Sequence, residues 1–137
     1  MTSSDHDHER DPLYERAVAA AASAYVPYSQ FRVGAAVRTA SGEVFTGCNV
    51  ENASFGLTIC AERVACAAAI AAGHTSIQAV AIHVEARNGQ PCGACRQFLS
   101  EFGPTMRVMY RRDGDVIATS LDALLSDPFL PASIPGS

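Results

Sequence analysis

The 137-residue sequence predicts an α/β fold, a three-layer α/β/α sandwich around a central mixed five-stranded sheet. Three observations predict it. Ala-rich runs of helical length alternate with short β-branched runs. Turn signals such as Ser41-Gly42, Gly103-Pro104 and Asp113-Gly114 separate them. The run Val80-Ala81-Ile82-His83-Val84 is nearly continuous in apolar residues, as in a strand covered on both faces. No repeat and no long linker divides the chain, so a single domain over 12–137 is expected.

The elements follow in order. Residues 1–11 are polar, with Asp5-His6-Asp7-His8-Glu9, and nothing apolar follows Met1 to pack them. A disordered tail is expected rather than a metal-binding tract. Pro12 to Tyr25 suits a helix, with Asp11 as N-cap and Pro12 at the first helical position. Pro27 disfavours helix at Val26 and ends the run. Val33–Arg38 and Glu43–Cys48 read as a hairpin around Ser41-Gly42. A second Ala-rich helix spans about 60–72 and closes at Gly73. A buried strand covers 77–85, and a third helix 93–101 stops at Gly103-Pro104. Strands near 106–110 and 116–119 flank Asp113-Gly114, and a short helix near 121–125 precedes a Pro-rich end.

Composition narrows the functional classes. The formal charge is −4, and the ten basic residues are all Arg and scattered. A polynucleotide grip shows a clustered basic footprint, so a small substrate is expected and no nucleic-acid partner. No stretch approaches the ~20 apolar residues of a membrane span. The first residues lack the basic and apolar regions of a secretory signal, and a cytoplasmic protein is expected. Five cysteines make an odd number. In a reducing compartment, clustered cysteines suit a metal better than a disulfide framework.

The chemistry lies in Cys60-Ala61-Glu62 and Pro91-Cys92-Gly93-Ala94-Cys95. Three thiolates and a water complete a tetrahedral zinc site with one open position, the arrangement of catalytic zinc. Glu62, two residues from the first thiol, can carry protons for that water. Cys92-x-x-Cys95 alone would be weak, since such pairs also occur in redox and structural zinc motifs. With Cys-Ala-Glu upstream, the pattern is that of the zinc nucleobase deaminases, in its three-Cys form. Cys60 starts one expected helix and Cys92 and Cys95 begin the next. Helix N-termini favour thiolate over thiol. The interval of about thirty residues accommodates one helix, a turn and a strand, the length of a crossover unit. Three thiolates on a dication leave excess negative charge. Arg63 can donate to the sulfurs and offset it, or it can be an exposed helix arginine.

Four stretches resemble the small homotetrameric cytidine deaminases: Tyr25-Val26-Pro27-Tyr28-Ser29-Gln30-Phe31-Arg32-Val33-Gly34-Ala35, Gly47-Cys48-Asn49-Val50-Glu51-Asn52-Ala53-Ser54, Cys60-Ala61-Glu62-Arg63, and Pro91-Cys92-Gly93-Ala94-Cys95-Arg96-Gln97. With the order of elements, the resemblance spans roughly 12–130. It implies a cytidine deaminase-like fold and one Zn2+ per subunit on Cys60, Cys92 and Cys95, with Glu62 as proton carrier. It implies that Asn49 and Glu51 hold the ribose 3′-hydroxyl, that Phe31 packs on the pyrimidine, and that backbone near Ala61 faces its polar edge. Ala53, Phe55 and Phe129 match positions reaching a neighbouring subunit's site, and Arg63 matches the donor to ligand sulfurs. The implied reaction is hydrolytic deamination of cytidine and deoxycytidine in pyrimidine salvage. Two departures stand out. Phe55 occupies a place where many relatives carry Tyr, and Arg32 replaces an often small or apolar residue.

Other reactive residues read more simply. Cys48 and Cys66 suit buried small apolar positions, His83 a core histidine, and His74 a loop. A structural zinc module would want a fourth protein ligand and has no use for Glu62. A blasticidin-type deaminase would share the zinc motifs but lack Asn49-Val50-Glu51-Asn52. A polynucleotide-editing enzyme would need insertions for strand contacts.

Overall fold

The computed structural model describes residues 8–85 and 88–134. The first helix, α1 (Pro12–Ala20), starts where the sequence caps it. Asp11 accepts from the Leu13 amide at 2.9 Å, and Pro12 occupies the first turn. The helical run tightens into a 3-10 turn over Ala21–Ser23 rather than continuing to Tyr25. Strands β1 (Val33–Thr39) and β2 (Val44–Cys48) form the expected hairpin, with Gly42 at φ +96° in the turn. Helix α2 (Ala61–Ala71) follows, then β3 (Ile77–Val84), α3 (Gly93–Ser100), β4 (Arg107–Arg112), β5 (Asp115–Ser120) and the short α4 (Leu121–Leu124). Asp113 and Gly114, both at positive φ, make the two-residue turn between β4 and β5.

The sheet order is β2-β1-β3-β4-β5, mixed because only β3 and β4 run parallel. Alternation along each strand sends side chains to two cores. Ala35, Val37, Val80, Ile82 and Val108 pack with Ala61, Ala65, Ala69 and Leu99 of α2 and α3. Ala36, Ala79, Ala81 and Met109 pack with Leu13, Tyr14 and Ala17 of α1. The helices thus cover opposite faces and make three layers.

Residues 1–7 lie outside the described residues. The stretch 8–11 is held: His8 donates its amide to Val116 O at 2.7 Å, and Glu9 lies 3.7 Å from Arg111.

Register places the site. Val33 opposes Val84, and Gly34 opposes Cys48. The C-terminal ends of β2 and β3 therefore lie at one end of the sheet. The loops leaving them lead to the starts of α2 and α3.

Candidate active site

Cys60 is the N-cap residue of α2 and Cys92 that of α3, both in extended backbone. Each contributes its carbonyl to the first turn: Val64 N donates to Cys60 O at 3.1 Å and Arg96 N to Cys92 O at 3.0 Å. The Cys92 sulfur accepts from the Cys95 amide at 3.4 Å. The three Sγ atoms of Cys60, Cys92 and Cys95 all lie within 4.8 Å of one another. Cys48 and Cys66 stand apart from this group. Cys66 is fully buried, and burial pushes its thiol up to about 11.

Electrostatics separates the three thiols. The Cys95 thiol donates to Cys60, and with Arg63 it pulls Cys60 down to about 5. Cys95 moves up for the same reason, with burial and the Glu62 charge adding. The protein groups alone thus hold one thiolate readily and resist a second. A dication removes that resistance. Tetrahedral zinc with ~2.3 Å Zn–S bonds spaces its sulfurs about 3.8 Å apart, compatible with this grouping. Arg63 lies on the same side, its Nη2 3.8 Å from the Cys60 sulfur. Its buried Nε lacks a hydrogen-bond partner among the described residues, a donor free to meet sulfur charge.

Glu62 sits one residue into α2 and is 5 % exposed. Burial is the chief cause that raises its carboxyl above the usual range, and the Cys60 charge adds to it. A carboxyl so placed keeps a proton closer to neutral pH, which suits general acid–base work.

A cavity of about 210 Å³ opens at this cluster. Cys60, Ala61, Glu62, Cys92, Asn49 and Thr58 form one part of its wall, while Val33, Ile82 and Val84 form an apolar part. A second hollow, about 370 Å³, adjoins it through Thr58 and is lined by Tyr28, Ser29, Glu51 and Phe55. Cys60, Cys92, the proton carrier and the apolar wall thus belong to the first, and Glu51 and Phe55 to the second.

The remaining expected site residues are placed unevenly. Asn49 is buried and uses its amide on backbone, donating to Phe31 O at 2.8 Å and accepting from Val33 N at 3.0 Å. Glu51 accepts from the amides of Tyr28 and Ser29, each at 3.1 Å, and from the Ser29 hydroxyl. That hydroxyl bond is the leading cause that lowers its pKa. Phe31 packs beside the α2-side core, and Ala53 lies in an exposed bend; neither lines the cavity. Phe129 is 62 % exposed and also stands outside the lining.

Sequence reasoning missed Val33, Ile82 and Val84, whose membership comes from strand register rather than motif, and Thr58, which follows the 3-10 turn Phe55–Leu57. It also found no role for Arg32, which donates to Ala22 O and Ala24 O at 3.1 and 2.9 Å and ties β1's entry to the end of the first helical segment. His83 receives a partner from α1: its Nδ1 lies 2.7 Å from the Tyr14 hydroxyl.

Comparison with known proteins agrees with this geometry. Residues 7–111 match the family described as "Cytidine and deoxycytidylate deaminase zinc-binding region". The chain is 44 % identical over 108 residues to a "Probable cytidine deaminase" of Dictyostelium discoideum, covering 77 % of this chain and 74 % of that one. It is 43 % identical over 124 residues to a "Cytidine deaminase" of Mycobacterium tuberculosis, covering 90 % and 91 %. The crystal structure of cytidine deaminase from Burkholderia pseudomallei superposes with a TM-score of 0.81 at 48 % identity, over 94 % of this chain and 100 % of that one.

Proposed function

The chain belongs to the cytidine and deoxycytidylate deaminase family, and from that premise we propose that it hydrolyses cytidine and deoxycytidine to uridine and deoxyuridine with release of ammonia. It is an enzyme, a hydrolase acting on a carbon–nitrogen bond. We infer further that one Zn2+ per subunit is required and that the reaction serves pyrimidine salvage in the cytoplasm. The observation that carries the reading is the buried Glu62 beside the three converging thiols, at the wall of a cavity with an apolar side.

Cys60, Cys92 and Cys95 are the residues that would hold the zinc. When bound, zinc would supply a nucleophilic hydroxide near neutral pH by lowering the pKa of its water. The chain's residues do the rest. Glu62 is placed to take a proton from the attacking water and to deliver it to ring N3, making C4 electrophilic. It then moves the proton of the added hydroxyl to the amino group, which leaves as ammonia. Cytidine and water thus give uridine and ammonia. Val33, Ile82 and Val84 offer the ring an apolar surface, and Phe31 and the Ala61 backbone are assigned to its face and polar edge. Arg63 offsets the sulfur charge. Asn49 and Glu51 are assigned to the ribose 3′-hydroxyl. In the free chain they brace the 28–33 segment, so sugar binding adds to contacts already made.

An exposed apolar surface supports a homotetramer with shared sites. Tyr25, Val50 and Ile59 are joined side by side by isolated β-bridges, and the Tyr28 and Phe55 rings lie 6.0 Å apart. Phe55 and Leu57 are 74 % and 65 % exposed. A contiguous apolar patch of this kind marks an interaction surface. Ala53, Phe55 and Phe129 are assigned to the neighbouring subunit's nucleoside.

The test is ammonia release from cytidine, run beside Glu62→Gln with zinc quantified in both. Because Glu62 acts more than once, the variant should lose more than the ~10²–10⁴-fold of one general acid–base step while keeping its zinc. A variant within tenfold of wild type sinks the role of Glu62, and no release by zinc-replete wild type sinks the reaction.

A further inference from the structure

Gln97 commits its whole side-chain amide to one residue of the C-terminal segment. Its Nε2 donates to Phe129 O at 2.6 Å, and its Oε1 accepts from Phe129 N at 3.0 Å, across 32 residues of sequence. The pair is one rung of a β-ladder made by a side chain, and it occupies both backbone polar groups of Phe129. The preceding residue of α3 makes two further ties. Arg96 Nε donates to Pro91 O at 2.8 Å and its Nη1 to Leu124 O at 2.9 Å. Two consecutive residues directly after Cys95 therefore hold the C-terminal segment at Leu124 and Phe129, and the loop end just before Cys92.

The ring held in this way is not a core residue, since Phe129 remains 62 % exposed. Nor is the clamp strongly stabilising. The rotamer entropy lost in ordering a glutamine side chain offsets much of the small net gain from two hydrogen bonds. What the clamp determines is geometry. It fixes the backbone that carries an exposed phenyl ring relative to the helix start that holds two of the three thiols.

We propose that Gln97 is a positioning residue, one that presents Phe129 in a set orientation to the nucleoside in a neighbouring subunit's active site. This rests on the reading that Phe129 reaches that nucleoside. Gln97 itself touches neither substrate nor metal. Its effect passes through the Phe129 backbone, so it belongs to substrate binding rather than to the chemical step.

A double-mutant cycle on the full-length, zinc-loaded protein tests this, with Gln97→Ala, Phe129→Ala and the double variant assayed on cytidine. Gln97→Met, close in length but without the amide, separates hydrogen bonding from packing. Gln97→Ala, Gln97→Met and Phe129→Ala should each raise KM about tenfold with kcat nearly unchanged, and the double variant should be no worse than Phe129→Ala alone. Amide hydrogen exchange at Phe129 should accelerate in both Gln97 variants, with zinc content and oligomeric state as in wild type. If Phe129→Ala leaves KM unchanged, the reading of Phe129 fails and the proposal with it. If Phe129→Ala raises KM but the Gln97 variants do not, or if the two effects multiply to about a hundredfold, only the proposal is overturned. Loss of zinc in Gln97→Ala also overturns it, since the residue would then act through Cys95.

Discussion

Glu62 sits in an environment that opposes its charge. It is 5 % exposed, and burial together with the nearby Cys60 charge raises its pKa above the ordinary 4.5. A carboxyl whose pKa is higher folded than unfolded adds full stability below the unfolded value and loses it as pH rises through the folded one. Metal-stripped Glu62→Gln should therefore melt above metal-stripped wild type at pH 7, and the gap should close toward pH 4. Thermal scans across that range check it, and equal melting temperatures at pH 7 would count against a buried charge. Asn49 makes a different residue-scale prediction. Asn49→Ala removes the buried acceptor of Val33 N and the donor to Phe31 O, and an unsatisfied buried group costs ~1–3 kcal/mol. A loss of about 2–3 kcal/mol in denaturant unfolding is expected, alongside weaker nucleoside binding. The thiols, Glu62 and Arg63 were legible in sequence because their motifs are contiguous and sit at helix starts. The bracing of Phe31 and Val33 by Asn49 was not, because it joins two strands.

At the scale of elements, Gly47 sets how closely α2 approaches the sheet. A Cβ on Gly47 would lie 2.4 Å from Ala65 N and 2.8 Å from Ala61 O. The backbone of α2 would have to move, carrying Cys60 and Glu62 with it. Gly47→Ala should destabilise by about 3 kcal/mol, at the upper end of ordinary overpacking, and lower zinc content and turnover together. Gly42→Ala is the control. Nothing lies within 4 Å of a Cβ there, and only the positive φ of +96° is strained. A cost of roughly 1 kcal/mol with unchanged turnover is expected. Zinc analysis and urea unfolding of both variants decide the comparison. The elements themselves were readable: Asp11, Pro12, Gly73 and Asp113-Gly114 mark ends by local chemistry. The 3-10 turns at Ala21–Ser23 and Phe55–Leu57 escaped notice, since their short runs leave no periodic signal.

At the scale of the whole molecule, the exposed surface built from Tyr25, Tyr28, Val50, Phe55, Leu57 and Ile59 carries the assembly prediction. Sedimentation of the wild type should give a tetramer. Leu57→Asp places a charge in the patch and should shift the protein to smaller species, with cytidine turnover falling at least tenfold because in the proposed assembly each site takes a neighbour's contribution. A Leu57→Asp protein that stays tetrameric and fully active would remove this surface from the interface.

The sequence by itself determined the order of elements, the three thiols with their carboxylate, and the family resemblance. All of these are written in contiguous stretches where capping, periodicity and spacing act within a few residues. Tertiary structure alone decided which walls enclose the cavity, that Thr58 joins its two hollows, that Arg32 ties the first helical segment to β1, and that Gln97 grips Phe129 from 32 residues away. Such contacts depend on strand register and on where long loops close, and no local propensity records either.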